Sequence, residues 1–313
     1  MTRSRNRTDA TRVCAVDIGT NSVRTVVADV RPPSLVEVVH YDGLITRLGE
    51  KLDASNRLRP EAIARTVRTV ADYVEHGRQL GATATTLVAT SAARDAENGE
   101  ELLDALGHAV GLEAEIATGR REAELVLAGV KAGGLLGETA SLLVDVGGGS
   151  TELIACPHGA PPEVRSVNVG AVRLTERFLA SDPPSREEIH TASRAAGESL
   201  QPPIGEAEHA DLIGLGGTIT TMAAMLQKLD EYDPAKVHGY RLTLDETREL
   251  LARTADLPLE ERRALAGLTP ARADIIVGGI IVVRAVLRAP KCESMRVSTT
   301  GILHGIALAA AGL

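Results

Sequence analysis

The chain has 313 residues, 44% of them hydrophobic and 24% charged, which reads as soluble and globular with apolar mass for two domains of about 150 residues each. Only five residues are aromatic (Tyr41, Tyr73, Phe178, Tyr232 and Tyr240) and Trp is absent, so the cores rest on Val, Leu, Ile and Ala, and the stacking platforms of a single-strand nucleic-acid binder are missing. Lys and Arg number 34 against 42 Asp and Glu, a net charge of −8, so a polyanionic ligand needs a local cationic pocket rather than the whole surface.

The opening Thr2-Arg3-Ser4-Arg5-Asn6-Arg7 is basic but leads into no apolar stretch, so residues 1–10 read as a frayed tail and not as a secretory signal. Residues 13–30 hold two β-rich runs around Ile18-Gly19-Thr20-Asn21-Ser22, a hairpin. A helix over 61–80 carries Ile63, Val67, Val70 and Val74 on one face. A short strand over 87–90, a helix over 100–110 and a helix over 121–132, closed by Gly133-Gly134, follow. A second hairpin starts at Leu142: Leu-Leu-Val-Asp145, the turn Val146-Gly-Gly-Gly-Ser150, then Thr151-Glu152-Leu-Ile-Ala155. It repeats the plan of the first at an offset of 128 residues, Asp17 to Asp145, which predicts a duplicated domain rather than a solenoid. Further on come a helix over 186–200, a strand over 211–214, the turn Gly214-Leu-Gly-Gly-Thr218 opening a helix over 219–229, a capping box at Thr243-Leu-Asp-Glu246, an apolar helix over 274–287, and a last helix over 302–310. Strands alternating with helices twice over predict two α/β domains, 1–132 and 133–313, with a cleft between them; the last helix, about 302–312, is a candidate to pack back on the first domain.

Cys14, Cys156 and Cys292 are distant from one another and odd in number, so no disulfide framework or zinc site is expected and a reducing, cytoplasmic location follows. The eight His are scattered without His-Asp or H-E-x-x-H, which argues against a transition-metal hydrolase. No apolar run reaches about 18 residues, so no membrane span is expected.

Three glycine-rich turns each follow a strand, where exposed N–H groups suit phosphate oxygens. The first two lead into strands and no Gly-Lys-Ser/Thr follows, against a P-loop or a dinucleotide fingerprint. Asp17 and Asp145 end their strands where phosphate charge would gather, which calls for Mg²⁺ held by carboxylates, waters and phosphate oxygens.

Asp17-Ile-Gly-Thr-Asn-Ser22, Asp145-Val-Gly-Gly-Gly-Ser-Thr-Glu152 and Gly214-Leu-Gly-Gly-Thr218 resemble the phosphate and nucleotide loops of the actin/heat-shock-70/sugar-kinase (ASKHA) superfamily. Thr90-Ser-Ala-Ala-Arg94-Asp-Ala-Glu-Asn98 and Gly119-Arg-Arg-Glu122-Ala-Glu-Leu-Val-Leu-Ala-Gly129 are similar to motifs of the exopolyphosphatase/guanosine-pentaphosphate phosphatase (Ppx/GppA) family within it. The resemblance runs from about Arg12 to the end, and the order of the five motifs is what is specific.

The resemblance implies two actin-like, ribonuclease H-like domains with an active-site cleft between them. It makes Glu122 the catalytic residue that orients and deprotonates water. Asp145 becomes a metal ligand, with Glu152 and Asp17 as further acidic ligands. Asn21, Ser22, Arg94, Gly147, Gly148, Gly149, Ser150, Thr151, Gly216, Gly217 and Thr218 become phosphate binders. Arg24, Arg120 and Arg121 are read as ordinary surface charges. Mg²⁺ is the implied cofactor, with Mn²⁺ as a substitute and a monovalent cation such as K⁺ as a further partner.

The implied activity is release of orthophosphate from the end of inorganic polyphosphate. The chain stops at Leu313, like family members lacking a C-terminal extension, so short polyphosphates are the expected substrate. Guanosine pentaphosphate is the alternative substrate, and guanosine penta- or tetraphosphate a candidate inhibitor. A superfamily kinase and a non-catalytic alarmone sensor are the rival readings, and a homodimer is what the family implies. One departure stands out: a family Gly-Leu-Arg-x-Gly segment reads Gly301-Ile-Leu-His-Gly305 here.

Overall fold

The computed structural model describes residues 10–157, 160–200, 211–288 and 293–313, so all but the last residue of the tail expected over residues 1–10, and the thiol of Cys292, lie outside the described residues. In chain order the first elements are β1 (Thr11–Ile18), β2 (Ser22–Arg31), β3 (Leu35–Ile45), α1 (Leu52–Ser55), α2 (Pro60–Gln79), β4 (Ala84–Ala89), α3 (Ser91–Asp95), α4 (Gly99–Val110), β5 (Ala114–Ile116) and α5 (Gly119–Ala132). There follow β6 (Ser141–Val146), β7 (Thr151–Cys156), β8 (Glu163–Val167), α6 (Ala171–Phe178), α7 (Arg186–Ser199), β9 (Asp211–Leu215) and α8 (Gly217–Leu226). The remainder are α9 (Pro234–Val237), β10 (Arg241–Thr243), α10 (Leu244–Ala255), α11 (Leu259–Arg262), α12 (Ile276–Arg288), β11 (Ser294–Val297) and α13 (Ile302–Ala310).

These elements form two compact units. One takes the chain up to Leu52, Asn56–Gly133 and Thr300–Leu313; the other takes Asp53–Ser55 and Gly134–Thr299. The first unit has a five-stranded sheet in the order β3-β2-β1-β4-β5. In it β1, β2 and β3 pair antiparallel, and β4 and β5 continue parallel to β1. Read from its β8 edge, the second sheet runs β8-β7-β6-β9-β11-β10. Here β6, β7 and β8 pair antiparallel, β9 and β11 continue parallel, and β10 is an added antiparallel edge. The two units share one plan, the duplicated α/β domain expected from the repeated hairpins and the actin-like fold that the family resemblance implies.

β1 is buried continuously from Val13 to Ile18, as a central strand covered on both faces must be. Cys14, Val16 and Ile18 join Val70, Tyr73 and Val74 of α2 and Leu102 and Leu106 of α4 in one core. The alternate residues of β1 face the other side of the sheet, where α13 packs on β1, β2 and β4. In the second unit, α12 is buried along nearly its whole length against α6, α7, α8 and α10, which explains its nearly unbroken apolar sequence.

α13 also packs along α5, and glycines set the approach. A Cβ on Gly305 would strike the Leu125 carbonyl, and one on Gly129 the Gly301 carbonyl. The obstacle in each case is backbone and cannot rotate away. Gly305→Ala is therefore expected to cost about 1–3 kcal/mol by overpacking, seen as a lower urea midpoint with an unchanged denaturant slope.

Candidate functional site

The turns after β1 and β6 have the same geometry. Gly19 N donates to Ser22 O at 3.0 Å, and Gly147 N donates to Ser150 O at 3.0 Å. In the second unit the loop carbonyls are captured by the start of α6. Ala171 N donates to Gly147 O (3.0 Å), and Val172 N and Arg173 N donate to Gly148 O (2.8 and 3.2 Å). Arg173 Nε donates to Gly149 O at 2.9 Å. A trans peptide unit holds its C=O and the next N–H on opposite sides. The N–H groups of Gly148, Gly149 and Ser150 therefore point away from α6, as successive donors suited to an anion.

The first unit repeats the device with other partners. Gly49 N donates to Thr20 O at 2.9 Å, and Thr46 N and Arg47 N donate to Asn21 O at 3.1 and 2.9 Å. The N–H groups of Asn21 and Ser22 consequently point away from residues 46–49. The buried Asn21 Nδ2 has no hydrogen-bond partner among the described residues.

Hydroxyl groups in the second loop are already engaged. Ser150 Oγ donates to Glu152 Oε1 at 2.8 Å, and Thr151 Oγ1 donates to the Val169 carbonyl at 2.6 Å. For these two residues the N–H of Ser150 is thus the group turned toward a ligand, while the Thr151 hydroxyl ties down the start of β7.

The strand-end acids differ between the units. Asp17 faces Arg24 across β1 and β2, is buried, and accepts from Arg24 Nε at 3.0 Å. At the matching position in the second unit, Asp145 faces Glu152 across β6 and β7. Glu152 is buried and also accepts from Ser166 Oγ at 2.8 Å. Like charges facing each other across strands are destabilising. Two facing carboxylates, able to hold a cation together with waters and phosphate oxygens, are a donor set that fits Mg²⁺. The expected trio of Asp17, Asp145 and Glu152 is not a ready-made cluster, because among the described residues no group of three or more such side chains is arranged to hold a metal. Asp17 already has a cation as its partner.

The third turn lies against the Asp145 strand end. Gly216 has φ 92°, and a Cβ there would stand 2.7 Å from Asp145 Oδ1, so the site demands glycine. A Cβ on Gly217 would strike the Arg272 guanidinium, while Thr218 is buried in the first turn of α8. Arg272 was not among the sequence candidates. Nothing in its local sequence marks it, since it reaches Gly217 only through the fold.

Glu122 sits in the first turn of α5, whose N-cap Thr118 accepts from Arg121 N at 3.1 Å. The Glu122 carboxylate is mostly buried and accepts from Arg94 Nη1 at 2.8 Å. The same nitrogen donates to Ala117 O at 2.9 Å, fixing α3 to the start of α5. Arg94 Nη2 is buried and has no hydrogen-bond partner among the described residues. Arg121 turns instead to Glu115 at 3.2 Å, half-exposed, as a surface charge would.

Among the described residues Cys14 and Cys156 are free thiols, and no helix is long and apolar enough to cross a membrane. Exopolyphosphatase 2 of Mycobacterium tuberculosis is 40% identical, over 96% of this chain and 99% of that protein. The Aquifex aeolicus PPX-GPPA enzyme structure superposes with a TM-score of 0.78 at 32% identity, covering 96% of this chain and 99% of that one. An exopolyphosphatase structure from Cytophaga hutchinsonii, 24% identical and covering 97% and 99% of the two chains, shares the fold with a TM-score of 0.84. The model of the Ppx/GppA phosphatase family matches residues 9–312, and the chain belongs to that family.

Proposed function

We propose that the protein is an exopolyphosphatase that removes the terminal phosphate of inorganic polyphosphate, with short chains preferred. The observation that carries this reading is the Glu122–Arg94 pair, a mostly buried carboxylate held at 2.8 Å by a guanidinium whose second nitrogen is unpartnered. A buried donor left unmade costs about 1–3 kcal/mol. A phosphate oxygen would satisfy Arg94 Nη2 and Asn21 Nδ2 alike. The 40% identity to a protein named exopolyphosphatase 2 supports the choice of substrate.

In this reading, Glu122 orients a water molecule and accepts its proton as the water oxygen attacks the terminal phosphorus. The bridging oxygen leaves with the shortened chain, and orthophosphate is released. Arg94 and the outward N–H groups of Asn21, Ser22, Gly148, Gly149 and Ser150 bind non-bridging oxygens. These donors are fixed by the carbonyl anchors before substrate arrives, so little reorganisation is needed as charge develops. Mg²⁺ held by Asp145 and Glu152 would supply neutralisation of phosphate charge. Gly216, Gly217 and Thr218, with Arg272 beside them, border the same acidic strand end.

Glu122→Gln is expected to lower kcat for orthophosphate release by about 10²–10⁴-fold, while tripolyphosphate binding by calorimetry changes little. Near-normal turnover in that variant would sink the assignment. Guanosine pentaphosphate, run beside short and long polyphosphate, measures substrate preference directly.

The metal reading has its own test. Glu152→Gln is expected to raise the Mg²⁺ concentration for half-maximal activity by about tenfold or more. Excess chelator should abolish wild-type turnover, and added Mg²⁺ should restore it. An unchanged Mg²⁺ titration in a folded Glu152→Gln protein removes Glu152 from the metal site.

A further inference from the structure

One carbonyl of the 147–150 loop is bonded by a side chain that is itself paired with a residue far away in sequence. Arg173 Nε donates to Gly149 O at 2.9 Å, and its Nη1 is bonded to Asp53 Oδ1. Arg177, one turn further along α6, bonds Asp53 Oδ2 through its Nε. Asp53 precedes Arg173 by 120 residues, yet Asp53–Ser55 count with the second unit. The Asp53 and Arg173 side chains are only 13% and 12% exposed, so this ion pair is little screened by water. Asp53 also sets its charge between two arginines spaced i, i+4, which would otherwise repel each other.

We propose that Asp53 is a positioning residue for the Ppx/GppA reaction, acting through Arg173 on the glycine loop. Arg173 has two competing uses. Pinned by Asp53, it aims its Nε at the Gly149 carbonyl, and the adjoining Ser150 N–H is thereby turned outward. Released from Asp53, its guanidinium is free to swing toward an anion, and the Gly149 carbonyl loses its donor. That peptide unit can then rotate and present oxygen, not N–H, to the phosphate. The inference rests on reading 147–150 as the phosphate loop, but its structural part can be measured without turnover.

The first measurement is amide hydrogen exchange at Ala171, Val172 and Arg173, whose N–H groups bind the loop carbonyls. In full-length Asp53→Ala these amides are expected to exchange about tenfold faster or more, with the α12 core unchanged. The second is a mutant cycle on tripolyphosphate hydrolysis. Asp53→Ala should raise KM about tenfold with kcat kept within about threefold, and Asp53→Ala/Arg173→Ala should be no worse than Arg173→Ala alone. Asp53→Asn, nearly isosteric, serves where the alanine variant does not fold. Unchanged exchange in a folded Asp53 variant, or additive losses in the double variant, overturns the inference. Absence of turnover in the wild type counts instead against the phosphatase reading, and the exchange arm still decides the role of Asp53.

Discussion

Capture of the loop carbonyls is the constraint on which the rest of this molecule depends. A tight glycine turn exposes both acceptors and donors, and an anion needs only the donors. Both units resolve this by giving the acceptors to neighbouring groups, the backbone of the 46–49 segment in one, and the backbone at the start of α6 with the Arg173 side chain in the other. The partners differ while the result is the same, so the feature retained across the duplication is the direction of the peptide planes. Each anchor is a hydrogen bond with a net worth of about 1 kcal/mol, from backbone N–H at all but the Gly149 carbonyl, which the Arg173 side chain holds. Several of them acting on three successive peptide units hold a loop that glycine alone would leave free.

The duplication is kept in geometry and broken in charge. Asp17 and Asp145 sit at matching strand ends, but the residue facing them is Arg24 in one unit and Glu152 in the other. The first pairing is neutral and self-contained, and the second is acidic. In the proposed function this divides the work. The first unit would supply a general base, Glu122, and phosphate grips, the Arg94 guanidinium and the Asn21 amide, and the second a metal-binding edge. Equivalence between Asp17 and Asp145 in sequence therefore does not carry over to equivalence in role.

Much of this was legible from residue patterns. The apolar stripe of α2, the capping box at Thr243, and the two hairpins with their glycine turns all appear in the structure, because each is a local signal. β3 was not read. It is an edge strand with Val38, Val39, Tyr41 and Leu44 exposed, and a register shift opposite Val27 and Ala28 breaks its alternation. Arg173, Arg272 and Asp53 were also missed, because each reaches its partner through tertiary packing. The expectation that Arg24 is an ordinary surface charge gives way to its bond with Asp17. The cross-strand partner of an acid decides what that acid can do, and the hairpin register that sets the partner is not explicit in a motif.

A chain with a net charge of −8 and a polyanionic substrate pose an electrostatic problem that the loops address at short range. At physiological ionic strength, interactions between exposed charges fade over about 8 Å, so the surface opposes encounter more than it opposes binding. Oriented N–H groups carry partial positive charge without adding to the net charge, and they act at hydrogen-bond distance. A site made from backbone donors is also indifferent to what lies beyond the phosphate, since it reads oxygen geometry alone. In the proposed function, the scarcity of aromatic side chains that could stack a base weighs toward a bare phosphate chain over a nucleotide bearing the same terminal anhydride. In that reading, substrate preference would follow from which groups were left out of the site as much as from those built into it.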